Sequence, residues 1–290
     1  MPADRSRRTD PSRSAGLEIT SPANPRIKQL VALRRRRSRE QAGVTLVEGV
    51  AEIELALAAG VRPQSLYFCP ALASPESLPL AGRAQGLGTE VVAVSKTVFE
   101  KISYREGPDG WLAVMPSVAT TLDGLELGAQ PLVLVCAGLE KPGNLGAILR
   151  TADAAGVAAV IAADPVTDWG NPNVVRASKG AVFSVPVASA TSAEALDWIA
   201  DHGLRIVAAT PDATQLVTSA DLTGPTAIAV GAEQTGLSSQ WLERADETVR
   251  IPMFGKADSL NVSISAAIIT YEAVRQRTHA GDVKSDQPLL

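Results

Sequence analysis

The sequence is poor in the residues that most often carry chemistry or cross-links. It has two cysteines, Cys69 and Cys136, far apart and each within an apolar stretch. That excludes a disulfide framework or a closely spaced thiolate cluster and leaves buried, reduced thiols. Histidine is just as scarce, with His202 and His279 only, the latter in the polar C-terminal end. Nucleophilic Ser-His catalysis therefore gains no support from spacing. No run approaches the roughly 18 consecutive apolar residues of a membrane span. The first 16 residues lack the apolar stretch of a signal peptide, so a soluble cytoplasmic protein is expected. Two nucleotide-binding signatures are missing as well. Gly138, Gly143 and Gly146 do not form G-x-G-x-x-G, and no G-x-x-x-x-G-K-[ST] occurs.

What is present is 290 residues of 46% hydrophobic composition, enough for two ordinary domains. The net charge of -4 is unevenly spread. Residues 1–39 hold eleven Lys or Arg against three acids, a net +8, and the remaining 251 residues carry -12. A basic segment on an acidic body favours a polyanionic partner held at one end of the molecule. A solvated helix face that only aids solubility is the alternative for Arg34 to Arg39.

Along the chain, residues 1–16 read as a disordered basic tail. Residues 17–116 read as a self-contained α/β unit. It has one helix over 24–39, strands at 45–47, 65–69, 89–94 and 111–115, helices at 50–59 and 96–102, and a proline-marked loop at Pro70, Pro75 and Pro79. A linker follows over 117–130. Residues 131–278 show strand-like runs at 132–136, 157–162, 183–187, 205–209, 226–230 and 248–251, separated by helical segments. This spacing predicts β-α repeats and a mainly parallel sheet, closed by a helix over 263–277. Residues 279–290 read as a frayed tail. The run from Leu132 predicts strand, turn and helix, with Pro142 and Gly143 as the break and Asn144 as N-cap. Arg150 then lies about one and a half turns into that helix, near a strand end where open α/β sheets place ligands.

Three polar islands interrupt this apolar half. They are Asn144 with Arg150, the stretch from Gly231 through Glu233 to Leu237, and Ile251 to Met253 with Ser259, Leu260, Asn261 and Ser263. Each could supply only turns and caps, but three in one domain favour a shared cleft. In residue type, order and context, Asn144-Leu-Gly-Ala-Ile-Leu-Arg150, Gly231-Ala-Glu233-Gln-Thr-Gly236-Leu237 and Ile251-Pro-Met253 with Ser259-Leu-Asn261-Val-Ser resemble the three signature motifs of the SpoU (TrmH-like) RNA 2'-O-ribose methyltransferases. Arg176-Ala-Ser-Lys-Gly180 resembles that family's middle region. The first domain is similar to its ribosomal-protein-like RNA-binding extension, and the whole looks most like the actinobacterial ribosomal RNA enzymes, including the antibiotic-resistance types.

The resemblance implies a deep trefoil knot in the second domain, in exception to the rule that chains are unknotted. It implies S-adenosylmethionine bound near Thr210, Gly231, Ile251 and Leu260, and a homodimer whose active sites draw on both subunits. Arg150, Asn144, Glu233, Ser259 and Asn261 would serve catalysis. Arginine's very high pKa makes it a poor base, so Arg150 is read as a phosphate ligand and alkoxide stabiliser, with proton acceptance as the alternative. Arg26, Lys28, Arg34, Arg35, Arg36, Arg37, Arg39 and Arg176 would contact RNA, and no metal is expected. With 4% aromatic residues, shape recognition of structured RNA fits better than base stacking. Ribosomal RNA is the expected substrate. Transfer RNA, or a non-catalytic RNA-binding or ribosome-assembly role, are the alternatives.

Overall fold

The structure, a computed structural model, describes residues 18–280. The tail expected at 1–16 and residues 281–290 of the expected C-terminal tail lie outside the described residues. Strands β1 (Val44–Glu48), β2 (Ser65–Phe68), β3 (Glu90–Ala93) and β4 (Trp111–Pro116) form a mixed sheet in the order β1-β4-β2-β3. Its β4 is antiparallel to β1 and β2, and β2 is parallel to β3. The helices are α1 (Pro25–Ala32), α2 (Arg36–Ala42), α3 (Val50–Ala58), α4 (Pro79–Gly86) and α5 (Lys96–Ile102). The single helix expected over 24–39 is therefore two. Breaking it leaves the carbonyls of Leu33 and Arg34 without helical partners, and the Arg39 guanidinium takes both, at 3.2 and 2.9 Å. Helix α4 went unforeseen because its prolines read as loop. Pro79 stands instead at the start of the helix, where a missing N–H costs nothing.

The second sheet holds β5 (Leu132–Ala137), β6 (Ala159–Ala163), β7 (Val187–Ala190), β8 (Arg205–Ala209), β9 (Gln215–Leu216), β10 (Thr226–Val230) and β11 (Glu247–Arg250). The order is β7-β6-β5-β10-β8-β11-β9, and every neighbouring pair is parallel. Its helices are α6 (Pro142–Ala155), α7 (Pro172–Ala177), α8 (Ser192–Asp201), α9 (Ser239–Arg244) and α10 (Val262–Ala280). The strand expected at 183–187 starts only at Val187, because Ala181–Phe183 forms a 3-10 turn that passes into Pro186. Both faces of the sheet are covered, so β5 and β6 are apolar at every position, as is β10 after Thr226. Within β5, Leu132, Leu134 and Cys136 face α6 and α10, while Val133, Val135 and Ala137 face α8 and α9. Three buried tryptophans keep their N–H groups bonded: Trp111 to Ser77 Oγ, Trp169 to the Ala188 carbonyl and Trp241 to Ser192 Oγ. Both cysteines are buried and free. Burial pushes the Cys136 thiol up to about 12, which leaves it unreactive.

The first unit is less self-contained than its sequence suggests. Val47, Ile53, Leu66, Trp111 and Met115 belong to the same apolar cluster as Leu134, Ile148, Val182 and Ile269, so one core runs through both sheets. The segment 117–130 is docked too, since the Thr120 carbonyl accepts from Ser189 N at 2.8 Å and Leu122, Leu125 and Leu127 pack under the second sheet.

Helices α6 and α7 touch at Gly146, where an added Cβ would lie 2.5 Å from Ala177 Cβ and 2.8 Å from the Val174 carbonyl oxygen. Backbone on the far side cannot swing away as a flexible side chain could. Gly146→Ala is expected to cost about 1–3 kcal/mol through forced separation of the two helices. Urea unfolding checks this, and a midpoint at or above that of the wild type would contradict it.

Candidate active site

The parallel sheet brings the carboxyl ends of β5, β10, β8 and β11 side by side along one edge. From β5 the chain turns through Gly138, with φ +66°, and reaches α6 with Lys141 as the N-cap and Pro142 as its first residue. Asn144 is thus inside the first turn and not the cap that the sequence suggested. Pro142 explains the shift, because its fixed φ suits the first helical position. The Asn144 side chain is thereby free for other partners. Its Nδ2 donates to Glu233 Oε1, and its Oδ1 accepts from Asn261 Nδ2 at 3.2 Å. Asn261 Oδ1 in turn accepts from Ser263 N at 2.9 Å and Ser263 Oγ at 2.6 Å. One polar chain links all three islands, from the loop after β10 through α6 to the start of α10.

Glu233 is aimed by a tight loop. Gly236 N donates to the Ala232 carbonyl at 2.9 Å, and the turn closes so sharply on Gly231 that a Cβ there would lie 2.1 Å from Gly236 C. Gly236 itself has φ +66°. The Glu233 side chain is 19% exposed, and Lys141 Nζ lies 3.9 Å from the same Oε1 that Asn144 holds. Sequence reasoning missed Lys141. Its only signal was its place immediately before the proline that begins α6. Thr210 follows β8, and its N donates to the Val249 carbonyl at 3.0 Å, tying that strand end to β11. Gly231, Ile251 and Leu260 are partly buried at the same edge.

Other expected residues stand apart from the polar chain. Arg150 is exposed, six residues beyond Asn144 on α6, and Ser259 is exposed in the loop before Leu260. Among the expected RNA contacts, Lys28, Arg35, Arg37 and Arg176 are exposed. Arg26 pairs with Glu90, and Arg36 pairs with Glu40 at 2.7 Å. Arg34 donates to the carbonyls of Lys101 and Ser103 and lies 5.8 Å from the Tyr104 ring centroid. Arg39 is 3% exposed and bound to Asp168, so it is withdrawn from the surface that RNA could reach. The periodic pattern could not show that, since it depends on a partner 129 residues away. His202 caps α8 through the Trp198 carbonyl, away from this edge.

A cavity of about 590 Å³ lies elsewhere, between Val61, Arg62, the segment 116–119 and residues 182–187. The carboxyl edge of the sheet, where the polar chain converges, is the better candidate for chemistry.

Residues 131–271 match the SpoU rRNA Methylase family, and residues 24–113 match the MRM3-like substrate binding domain. A 23S rRNA (uridine(2479)-2'-O)-methyltransferase of Streptomyces viridochromogenes is 34% identical, over 96% of this chain and 97% of that one. The chain belongs to the SpoU rRNA methylase family. Among solved structures similar to this member, an RNA 2'-O ribose methyltransferase is 46% identical with a TM-score of 0.80, covering 90% of this chain and 99% of its own. The SpoU methyltransferase AviRb from Streptomyces viridochromogenes, in complex with the cofactor AdoMet, is 33% identical with a TM-score of 0.80 over 88% and 100%.

Asn144→Ala is expected to disconnect the three loops with little effect on the core. Hydrogen exchange should quicken at residues 231–237 and 261–263, while global stability falls by about 1–3 kcal/mol. Unchanged exchange in both segments would show that the polar chain does not hold them.

Proposed function

We propose that this protein transfers a methyl group from S-adenosylmethionine to a ribose 2'-hydroxyl of structured RNA, with 23S ribosomal RNA as the substrate. The Glu233-Asn144-Asn261 hydrogen-bond chain carries this reading, because it assembles the three family motifs at one edge of a parallel sheet. The cleft suits the cofactor. Strand-end backbone at Thr210, Gly231 and Ile251, with Leu260, borders it, and at Gly231 a side chain has no room. These four residues would hold the cofactor, which supplies an electrophilic methyl group when bound. The similarity to AviRb with its bound AdoMet supports the assignment.

Methyl transfer needs the ribose hydroxyl in line with the methyl carbon and relieved of its proton. Glu233 fixes the orientation of Asn144, whose amide orients the ribose. Ser259 and Asn261 hold the third motif against it. Arg150 binds the adjacent phosphate and stabilises the forming alkoxide while the hydroxyl proton passes to solvent water, since a guanidinium stays protonated near neutral pH. Its position outside the polar chain fits a site completed by a second copy. Ile264, Ile268 and Tyr271 form an exposed apolar stripe on α10 beside α6, and Phe254 is 96% exposed nearby in sequence. A homodimer through this face is the reading we favour.

The domain is further read as a deep trefoil knot. The placement of late strands β10 and β11 between earlier ones supports this reading. A ribosomal-protein-like first domain, a cytoplasmic location and the actinobacterial ribosomal RNA type belong to the same reading; the Streptomyces relative supports the last. Among the described residues no helix is long and apolar enough to cross a membrane.

Tritiated methyl transfer to separate pools of 16S, 23S and transfer RNA tests substrate and chemistry together, with alkali-resistant label expected at one 23S position. Arg150→Ala should lower the rate by about 100-fold or more while cofactor affinity stays within a few fold. Wild-type turnover in that variant would remove Arg150 from the mechanism.

Charge in the first domain gives a separate expectation. Replacing Lys28, Arg35 and Arg37 with Gln should weaken RNA binding and flatten its salt dependence by about 0.7–0.9 in log-log slope per lost phosphate contact. An identical slope in the triple variant would place RNA on another face.

A further inference from the structure

We propose that the Arg39-Asp168 pair, its arginine buried and its aspartate partly exposed, is a clamp between the two sheets that positions the RNA-contacting helices relative to Asn144 and Arg150. The inference rests on the methyltransferase reading and names two positioning residues for it. Arg39 Nη2 donates to both carboxylate oxygens of Asp168, at 3.0 and 2.8 Å, while Nη1 closes the break between α1 and α2. The guanidinium therefore fixes the basic turn to itself and to the second sheet at once. With Nη2 shared between the two carboxylate oxygens and Nη1 between two carbonyls, the planar guanidinium is fixed in direction as well as in distance.

The pair is the middle of three contacts made by alternate residues of the loop after β6. The Val166 carbonyl accepts from Arg36 Nη1 at 3.5 Å, and the Gly170 carbonyl accepts from Thr45 Oγ1 at 2.7 Å. Strand β1 lies at the edge of its sheet, yet all five of its residues are buried. Helix α7, which continues this loop, packs on it. At the far end of α7, Lys179 adopts φ +56°, rare for a residue with a side chain, and reaches within 3.9 Å of Glu52 Oε1. Gly180 sits against the Glu52 backbone. Helix α7 then abuts α6 at Gly146. A continuous, close-packed path thus runs from the turn bearing Arg35 and Arg37 to the helix bearing Asn144 and Arg150. Buried ion pairs often contribute less to stability than apolar residues of similar volume. Their directional bonds suit a device that sets orientation.

The test uses the whole chain with two introduced cysteines, Gln29→Cys on α1 and Ala154→Cys on α6, both exposed positions. Native Cys69 and Cys136 are buried, so spin labels attach to the introduced pair. Double electron-electron resonance should give one narrow distance in the otherwise unchanged protein and a broadened one in Asp168→Asn. In the unlabelled background, Asp168→Asn should lower kcat/KM on 23S RNA about tenfold or more, spread label to neighbouring nucleotides, and leave cofactor affinity unchanged. The double variant Arg39→Met with Asp168→Leu removes both charges and guards against simple unfolding. It should melt near the wild-type temperature yet keep the broad distance and the lost selectivity. An equally narrow distance in Asp168→Asn, or wild-type rate and selectivity in the double variant, would overturn the clamp. If the unsubstituted protein methylates no RNA, the functional reading fails and the positioning role with it, while the label distances still decide the clamp.

Discussion

The direction of the strands governs this molecule. Seven strands that all run parallel deliver their carboxyl ends to one edge, so residues far apart in sequence arrive close enough for short side-chain bonds to join their loops. Asn144, Glu233 and Asn261 meet because the elements before them end at this edge. The same parallelism requires both faces to be covered, and α6, α7 and α10 on one side with α8 and α9 on the other meet that demand. The cleft and the core are thus two consequences of one constraint.

Much of this arrangement was legible because strand and helix leave different periodicities. The unbroken β-branched and leucine-rich run from Leu132 and the apolar spacing of Leu145, Ile148, Leu149 and Ala152 identified the central β-α unit, and repetition of that rhythm gave the parallel sheet. Prolines caused the clearest misreadings. Pro79 and Pro142 each open a helix, and the sequence offers no local signal that separates such a proline from one in a loop. The cost of that ambiguity differed. At Pro79 a helix was lost, whereas at Pro142 the Asn144 side chain was read as a cap when it is free to bridge Glu233 and Asn261.

The basic segment shows the limit from another side. Its arginines look alike in sequence, yet their surroundings divide them into kinds. Arg35 and Arg37 face solvent, Arg34 is spent on carbonyls and an aromatic ring, and Arg39 is buried against an aspartate of the other sheet. Charge density therefore marks a region without marking which guanidinium is available. Polar islands were more informative, since a polar residue at the end of a buried strand has few reasons to be there.

The apolar cluster shared by the two sheets also bears on how such a chain can change over time. Substrate-recognition modules joined by a loose tether can be exchanged like parts, each retaining its own interior. Here Val47, Ile53 and Trp111 complete the interior of the neighbouring sheet's helices. A graft that replaced the first unit would leave that interior partly bare, so new RNA targets are more readily reached by altering exposed side chains on the existing scaffold than by swapping the scaffold itself.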